Sequence, residues 1–259
     1  MRISVVLPVL NRQALGERAL RSAVAQGVDG TEIIVVDDGS EPPFELPSDI
    51  ATKANVRLIR FDTNRGESVA RNTGVGAAVA AWIAFLDSDD YWPANTLQAR
   101  LECAELAWRN EPDRMILYVA AFVVDNKRTG RQSLRIPRES KSVVDFASGC
   151  WFAPGSTSLF RKETFDVVGP FDPMLPRLAD LDWFLRFALQ GGQVKVWDGL
   201  AAVVETGPKP RLSALESSAR HLHAKYSKAG ARPLAPQSLR RLDAYLDIER
   251  ASIFAARGS

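Results

Sequence analysis

Ile83-Ala84-Phe85-Leu86-Asp87-Ser88-Asp89-Asp90 is an apolar run that stops at three carboxylates within four residues. Such a run reads as a buried parallel strand, and open α/β sheets form their ligand crevice at the carboxyl ends of such strands. The acids therefore sit at a mouth. Carboxylates this close repel one another unless a cation joins them, and hard oxygen ligands of this kind suit Mg²⁺ or Mn²⁺. A divalent ion bound there would in turn hold a diphosphate. Taken alone, the pattern has a plainer reading: one acid caps a helix starting near Pro93 and the others face water.

A second acidic strand end lies upstream. Glu32-Ile33-Ile34-Val35-Val36-Asp37-Asp38-Gly39-Ser40 is a β-branched run closed by acids and by a Gly that permits a tight turn. Ile3 to Asn11 gives a first strand ending in Pro8 and Asn11, followed by Leu15, Ala19, Leu20, Ala23 and Val24 at helical spacing. Val56 to Phe61 reads as a further strand, and Asn64 to Gly74 opens a helix of small residues. The expected order is β-α-β-β-α-β, with both acidic ends in one crevice.

The succession Val6-Leu7-Pro8-Val9-Leu10-Asn11, Val36-Asp37-Asp38-Gly39-Ser40, Asn64-Arg65-Gly66 with Ala70-Arg71-Asn72-Thr73-Gly74, and Phe85 to Trp92 resembles the nucleotide-binding half of the family 2 glycosyltransferases. Further on, Gly155 to Lys162 with Val168-Gly169-Pro170-Phe171-Asp172 resembles the family's acceptor-side segment. The resemblance implies an α/β fold: a single GT-A type domain with a Rossmann-like, mostly parallel sheet flanked by helices, plus a C-terminal helical extension. It also implies an inverting enzyme that moves a sugar from a nucleoside diphosphate donor to a hydroxyl.

The donor-binding residues implied are Pro8, Val9, Asn11, Asp38, Arg71, Asp87, Ser88 and Asp89, and the metal site for Mn²⁺ or Mg²⁺ is Asp89 with Asp87 and Asp90. On spacing alone Arg71 is equally a helix-surface residue. Asn64, Gly66 and Asn72 read as turn and packing residues. Asp180-Leu181-Asp182-Trp183-Phe184-Leu185-Arg186 resembles the segment carrying the catalytic base, in which the family has Glu-Asp and an Arg six residues after that Asp. Asp180 and Arg186 keep this spacing while Ala179 replaces the Glu, so Asp180 is the implied base. Without the resemblance, Asp180 and Asp182 read as helix-capping acids. Many family members also carry a His after the last strand; here Val204 to Arg211 has none, and Lys209 and Arg211 are the cations available to a diphosphate.

Composition agrees with one compact enzyme. The chain has 259 residues, 46% of them hydrophobic, and a formal charge of +2, which gives no global argument for nucleic acid. The charge is uneven: from Gly207 onward ten Lys or Arg face four Asp or Glu. Cys103 and Cys150 are too few for a disulfide framework and read as reduced core thiols. Met1-Arg2 leads straight into a strand, unlike a secretory leader, and a cytoplasmic location is expected.

The expected organisation is a transferase domain at 1–206, its nucleotide half about 1–110 and its acceptor half about 111–206, then a basic helical extension at 207–259. Met115 to Val124, Ser133 to Ile136 and the run from Val194 read as strands, 137–155 as a loop beside the acceptor, and Leu212 to Ala229 and Ser238 to Ala256 as amphipathic helices. Their basic and apolar residues suit either packing on the domain, pairing with a second copy, or resting on an anionic membrane. Partners implied by the resemblance are a UDP- or dTDP-sugar and a glycan or lipid-linked acceptor, as in surface polysaccharide or glycolipid synthesis. Two alternatives stay open: a sugar-nucleotide pyrophosphorylase and a catalytically silent nucleotide-binding scaffold on the same fold.

Overall fold

The computed structural model describes residues 2–149, 155–206 and 211–257; Cys150 and Lys209 lie outside them. Strands β1 (Ile3–Val9) and β2 (Thr31–Asp37) are buried along their whole length, as central strands covered on both faces must be. Between them α1 (Gln13–Val24) buries Gly16, Ala19, Leu20 and Ala23, one stripe at helical spacing. A single turn, α2 (Ser48–Ala51), precedes β3 (Val56–Arg60). Then α3 (Glu67–Ala77) leads into β4 (Trp82–Phe85). These four strands are parallel in the order β3-β2-β1-β4, so their carboxyl ends, with Asp38 and Asp87, open on one side.

Helix α4 (Leu97–Asn110) starts later than Pro93, because its first turn is capped from elsewhere. Gln26, just past α1, accepts the Thr96 and Leu97 amides, each at 3.0 Å, through its side-chain oxygen. The acids at 87–90 are thus free of the capping duty the plainer reading gave them. Leu97, Arg100, Leu101 and Ala104 form the buried stripe of α4, and Cys103 falls off it. Cys103 is exposed, not the core thiol its composition suggested.

The second half adds strands of both senses. β5 (Ile116–Asn126) forms a hairpin with β6 (Arg131–Arg135). The stretch expected to be a loop contains one anchored turn, α5 (Val143–Phe146), whose Phe146 is fully buried. β7 (Leu159–Arg161) inserts antiparallel between β4 and β5, and β8 (Gln193–Glu205) runs parallel to β5. The result is a single α/β domain with a mixed, mostly parallel sheet. Helices α6 (Lys162–Val168), α7 (Ala179–Leu189), α8 (Leu212–Tyr226) and α9 (Pro236–Arg257) complete it.

Side-chain alternation splits the interior into two layers. Ile3, Val5, Leu7 and Val9 meet α1 and α4, while Val6, Ile34 and Val36 meet α3 and a larger aromatic cluster shared with α5, α6 and α7. Leu215, Leu222 and Tyr226 of α8 and Leu242, Leu246 and Ile253 of α9 belong to that same cluster. Through these residues the tail's apolar face packs on the domain.

Gly39 joins the ends of β2 to the turn before α3. Its φ is +79°, and a Cβ there would lie 2.5 Å from the Thr63 carbonyl carbon and 2.6 Å from the Asn64 nitrogen. Gly27 shares the left-handed backbone, with φ +62° and nothing within 4 Å. Gly27→Ala should therefore cost the backbone strain alone, about 1–2 kcal/mol. Gly39→Ala should cost at least about 1 kcal/mol more, since rigid backbone must also yield. Urea unfolding of both variants checks the difference; equal losses would mean that the 63–64 turn does not press on Gly39.

Candidate functional site

A cavity of about 590 Å³ opens at the carboxyl edge of the sheet and is lined from both halves of the chain. Its polar wall includes Asp87, Arg71, Glu67, Arg65, Ser158 and Asp180; its apolar floor includes Phe85, Phe160, Phe171, Trp183 and Phe184. Asp87 comes from the end of β4 and Asp180 from the first turn of α7, so elements far apart in sequence share one hollow.

Arg71 is the centre of its electrostatics. The side chain is buried, not on the helix surface, and Nη2 lies 2.6 Å from Asp87 and 2.5 Å from Glu67. Its guanidinium rests between the rings of Phe85 and Phe171, at 5.6 and 5.7 Å. Burial opposes the charge, yet Asp87, Glu67 and Asp180 outweigh it and raise the arginine pKa. Arg71 pulls the Glu67 pKa down, while desolvation and the crowd of Asp87, Asp180 and Asp89 push it up, the net direction being upward. Two buried polar atoms of the cavity-lining residues, Arg71 Nε and Ser158 Oγ, have no hydrogen-bond partner, which suits a polar ligand.

The acidic strand end divides its labour. The Asp87 amide donates to Ser156 Oγ at 3.0 Å, and that hydroxyl donates to Asp90 at 2.5 Å. The other Asp90 oxygen accepts the Glu205 amide at 3.2 Å, so Asp90 is a structural acid turned into the protein. Asp89 is on the rim, 2.6 Å from Arg12, with its backbone carbonyl taking Arg18 at 2.6 Å. Among the described residues no three Asp, Glu, His or Cys side chains form a metal cage. What is present fits Mg²⁺ or Mn²⁺ held by one or two carboxylates plus substrate phosphates, with Asp89 and Asp87 as the carboxylates and Asp90 left out.

None of the other implied donor residues lines the cavity itself. Asp38 accepts the Arg65 and Gly66 amides at 2.7 and 2.9 Å, one bond behind the cavity lining. Asn11, with φ +53°, receives the Glu41 amide on its side chain and gives its own amide to Ser40 Oγ. Pro8, Val9 and Ser88 are buried. Asn64 and Asn72 are turn and packing residues as expected: Asn64 holds the Gly66 amide, and Asn72 bonds the Phe171 backbone both ways. Arg65 and Ser158, which fall within the family-like segments without an assigned role, and Glu67 and Arg177, which nothing local marks, also line the cavity. Arg211 is exposed at the start of α8 and is not among the lining residues.

The two acids of α7 differ sharply, and neither accepts at the N-cap position, which is Leu178 in a left-handed conformation at φ +62°. Asp180 faces the cavity; one oxygen takes the Leu181 amide at 2.8 Å. Asp182 is completely buried, 2.9 Å from Arg186, 2.7 Å from Lys225 and 2.8 Å from the Tyr226 hydroxyl. Arg186 in turn donates to the Val168 and Pro170 carbonyls at 2.6 and 2.7 Å. His221 and His223 face apart, toward Asp172 and Asp243, as their spacing on the helix requires.

Burial, then Asp87 and Asp89, push the Asp90 carboxyl up to about 8. An acid whose folded pKa exceeds its unfolded value binds the extra proton in the folded state, so stability is greatest below about pH 4 and is lost as pH rises toward 8. In the presence of chelator, wild type should lose stability between pH 5 and 8 with a slope approaching about 1.4 kcal/mol per pH unit from this group. Asp90→Asn, which mimics the protonated acid, should flatten that slope in urea titrations. Identical pH dependence in the two proteins would mean that Asp90 ionises normally.

Residues 4–169 match Glycosyl transferase family 2. The amylovoran biosynthesis glycosyltransferase AmsB of Erwinia amylovora is 26% identical over 189 residues, covering 71% of this chain and 62% of AmsB. The pre-mycofactocin glycosyltransferase of Mycobacterium tuberculosis is 37% identical over 195 residues, covering 74% of this chain and 40% of that protein. The chain thus spans only part of the length of these relatives. The structure of S. aureus TarS 1-349 in complex with UDP-GlcNAc has the same fold, with a TM-score of 0.66 at 17% identity over 97% of this chain and 73% of that one. The family match starts within β1 and runs through every element that builds the Asp87 side of the cavity: the chain belongs to glycosyl transferase family 2.

Proposed function

We propose that the protein is an inverting glycosyltransferase that moves a sugar from a nucleoside diphosphate to a hydroxyl of a glycan or lipid-linked acceptor. The observation that carries this reading is the shared cavity, with Asp180 on one wall and the Asp87–Arg71 pair on the other. Asp180 takes the proton of the acceptor hydroxyl as its oxygen bonds to the anomeric carbon, while the bond to the diphosphate breaks on the opposite face. The Leu181 amide holds one Asp180 oxygen at 2.8 Å and leaves the other for this proton.

Charge develops on the departing diphosphate and must be met where it appears. Arg71 and Arg65 are the cavity's cations on the donor side. Asp89, with Asp87, would hold Mn²⁺ or Mg²⁺, which when bound supplies Lewis-acid neutralisation of the leaving group. For Asp89 to do so, Arg12 must release it, and that pair is half exposed and weakly held. Asp38 sets the 65–66 backbone, and Pro8, Val9, Asn11 and Ser88 shape the seat for base and ribose.

A UDP- or dTDP-sugar is the favoured donor, supported by the UDP-GlcNAc complex of TarS. A role in polysaccharide biosynthesis is supported by the likeness to the amylovoran enzyme. Among the described residues no helix is long and apolar enough to cross a membrane. A retained carboxylate open to the cavity weighs against a silent scaffold, and Pro8 to Arg12 lacks the Gly-rich loop expected of a pyrophosphorylase.

The test is turnover of a nucleotide-sugar panel, with slow donor hydrolysis as the acceptor-free signal. Asp180→Asn should lower kcat by roughly 10² to 10⁴ with donor affinity nearly unchanged. Asp182→Asn should instead lower stability by several kcal/mol, since it breaks a buried charge network, and leave turnover of the folded fraction much less affected. Asp89→Ala should abolish the response to Mn²⁺ or Mg²⁺. Wild-type turnover by Asp180→Asn would remove the base from the account, and full activity in excess chelator would remove the cation.

A further inference from the structure

We propose that the β5–β6 hairpin is a docking element for an anionic bilayer surface, and that it sets the mouth of the crevice against that surface. Every residue of β6 is exposed, and the strand pairs only with β5. From Lys127 through Arg138 there are five Lys or Arg and no Asp or Glu. Lys127 is neutralised at home by Asp125 and Glu205, at 2.8 and 3.2 Å. Arg128, Arg131 and Arg135 form no ion pair with any described residue, so their charge is offered outward.

Charged edge strands also protect a sheet from pairing with another chain, and arginines alone would signify no more than that. The same segment, however, exposes Leu134 at 59% and Ile136 at 62%, which protection does not explain. Alternation puts Leu134 and Ile136 on one face of the ribbon and Arg131 and Arg135 on the other. Meeting a bilayer along its free edge, the ribbon would sink the two apolar side chains into the interface while the guanidinium groups reach lipid phosphates.

Its position suits that role. Tyr118 of β5 is level with Ala84 of β4 through Leu159 of β7, and β5 and β4 run the same way. β5 runs on from this level beside the acidic end: Asp125 is in register with Glu205 of β8, whose amide lies 3.2 Å from Asp90. The tip of the hairpin is tied to that end directly: Lys127 pairs with Glu205, Glu205 with Arg18, and Arg18 with the Asp89 carbonyl. The competing candidate is α9, where Ile248 and Phe254 are exposed. Ile248 lies between Asp247 and Glu249, which an anionic surface repels.

Co-sedimentation of the whole protein with vesicles, without nucleotide, reads this independently of catalysis. Wild type should bind phosphatidylglycerol/phosphatidylcholine vesicles at low salt, bind pure phosphatidylcholine far less, and release as salt rises. Arg131→Glu with Arg135→Glu should cut partitioning by at least about 25-fold, from about fivefold per cation lost at an anionic surface. Leu134→Ser with Ile136→Ser should weaken binding with all charges kept, and Arg240→Glu with Arg241→Glu on α9 should change it little. No wild-type binding at low salt, unchanged binding by both hairpin variants, or loss only on reversal at Arg240 and Arg241 would overturn the assignment.

Discussion

The contact on which this structure turns is the ion pair between Arg71 and Asp87, 2.6 Å long, with the exposed Glu67 as a second partner of Arg71. Without a cation there, the Asp87 carboxylate could not sit in an enclosed hollow beside Glu67 and Asp180. With it, a surplus of negative charge survives in a partly desolvated place, which is what a site for a cation and a polyphosphate must contain before its ligands arrive. Arg71 is also a structural hinge point between the halves. α3 supplies it, β4 supplies Asp87, and the second half of the chain supplies Phe171 and Gly155, where an added Cβ would lie 3.3 Å from the guanidinium.

The opposite wall depends on a different charge network. α7 is buried from Leu181 to Ala188, so its polar residues had to find partners inside. Asp182 and Arg186 find each other, and Lys225 and Tyr226 from α8 complete the set. A buried network of this kind contributes little net stability but penalises any other seating of α7. The cluster fixes the helix rotation that leaves Asp180 on the cavity side, and it explains why the C-terminal helices pack against the rest of the domain. The tail's buried Leu222, Tyr226, Leu242 and Leu246 are among the residues that in sequence also suited a membrane surface.

What was legible in the sequence was whatever burial writes locally. β1, β2 and β4 are apolar runs because both faces are covered, and the acidic ends of β2 and β4 mark the crevice edge. What was not legible came from partners distant in sequence. Gln26 caps α4 from the far side of β2 and β3, which moved the helix start and freed the acids. Ser156 turns Asp90 away from the mouth, so an acid triplet that reads as one metal site is one structural acid and two available ones. Asp180 and Asp182 are separated in sequence only by the family resemblance, and the positions of Tyr226 and Lys225 supply the physical difference. β7 shows no sense of direction in its three residues; its antiparallel placement follows from what lies on either side.

The central claim is that one Arg71-centred cavity receives a nucleoside diphosphate next to Asp180. A crystal structure of the protein with uridine diphosphate and Mn²⁺ tests it most directly. The account predicts diphosphate in the cavity bounded by Asp87, Arg71 and Asp180, with Arg12 withdrawn from Asp89. Nucleotide bound elsewhere, with the Arg12–Asp89 pair intact and the cavity empty, would contradict it.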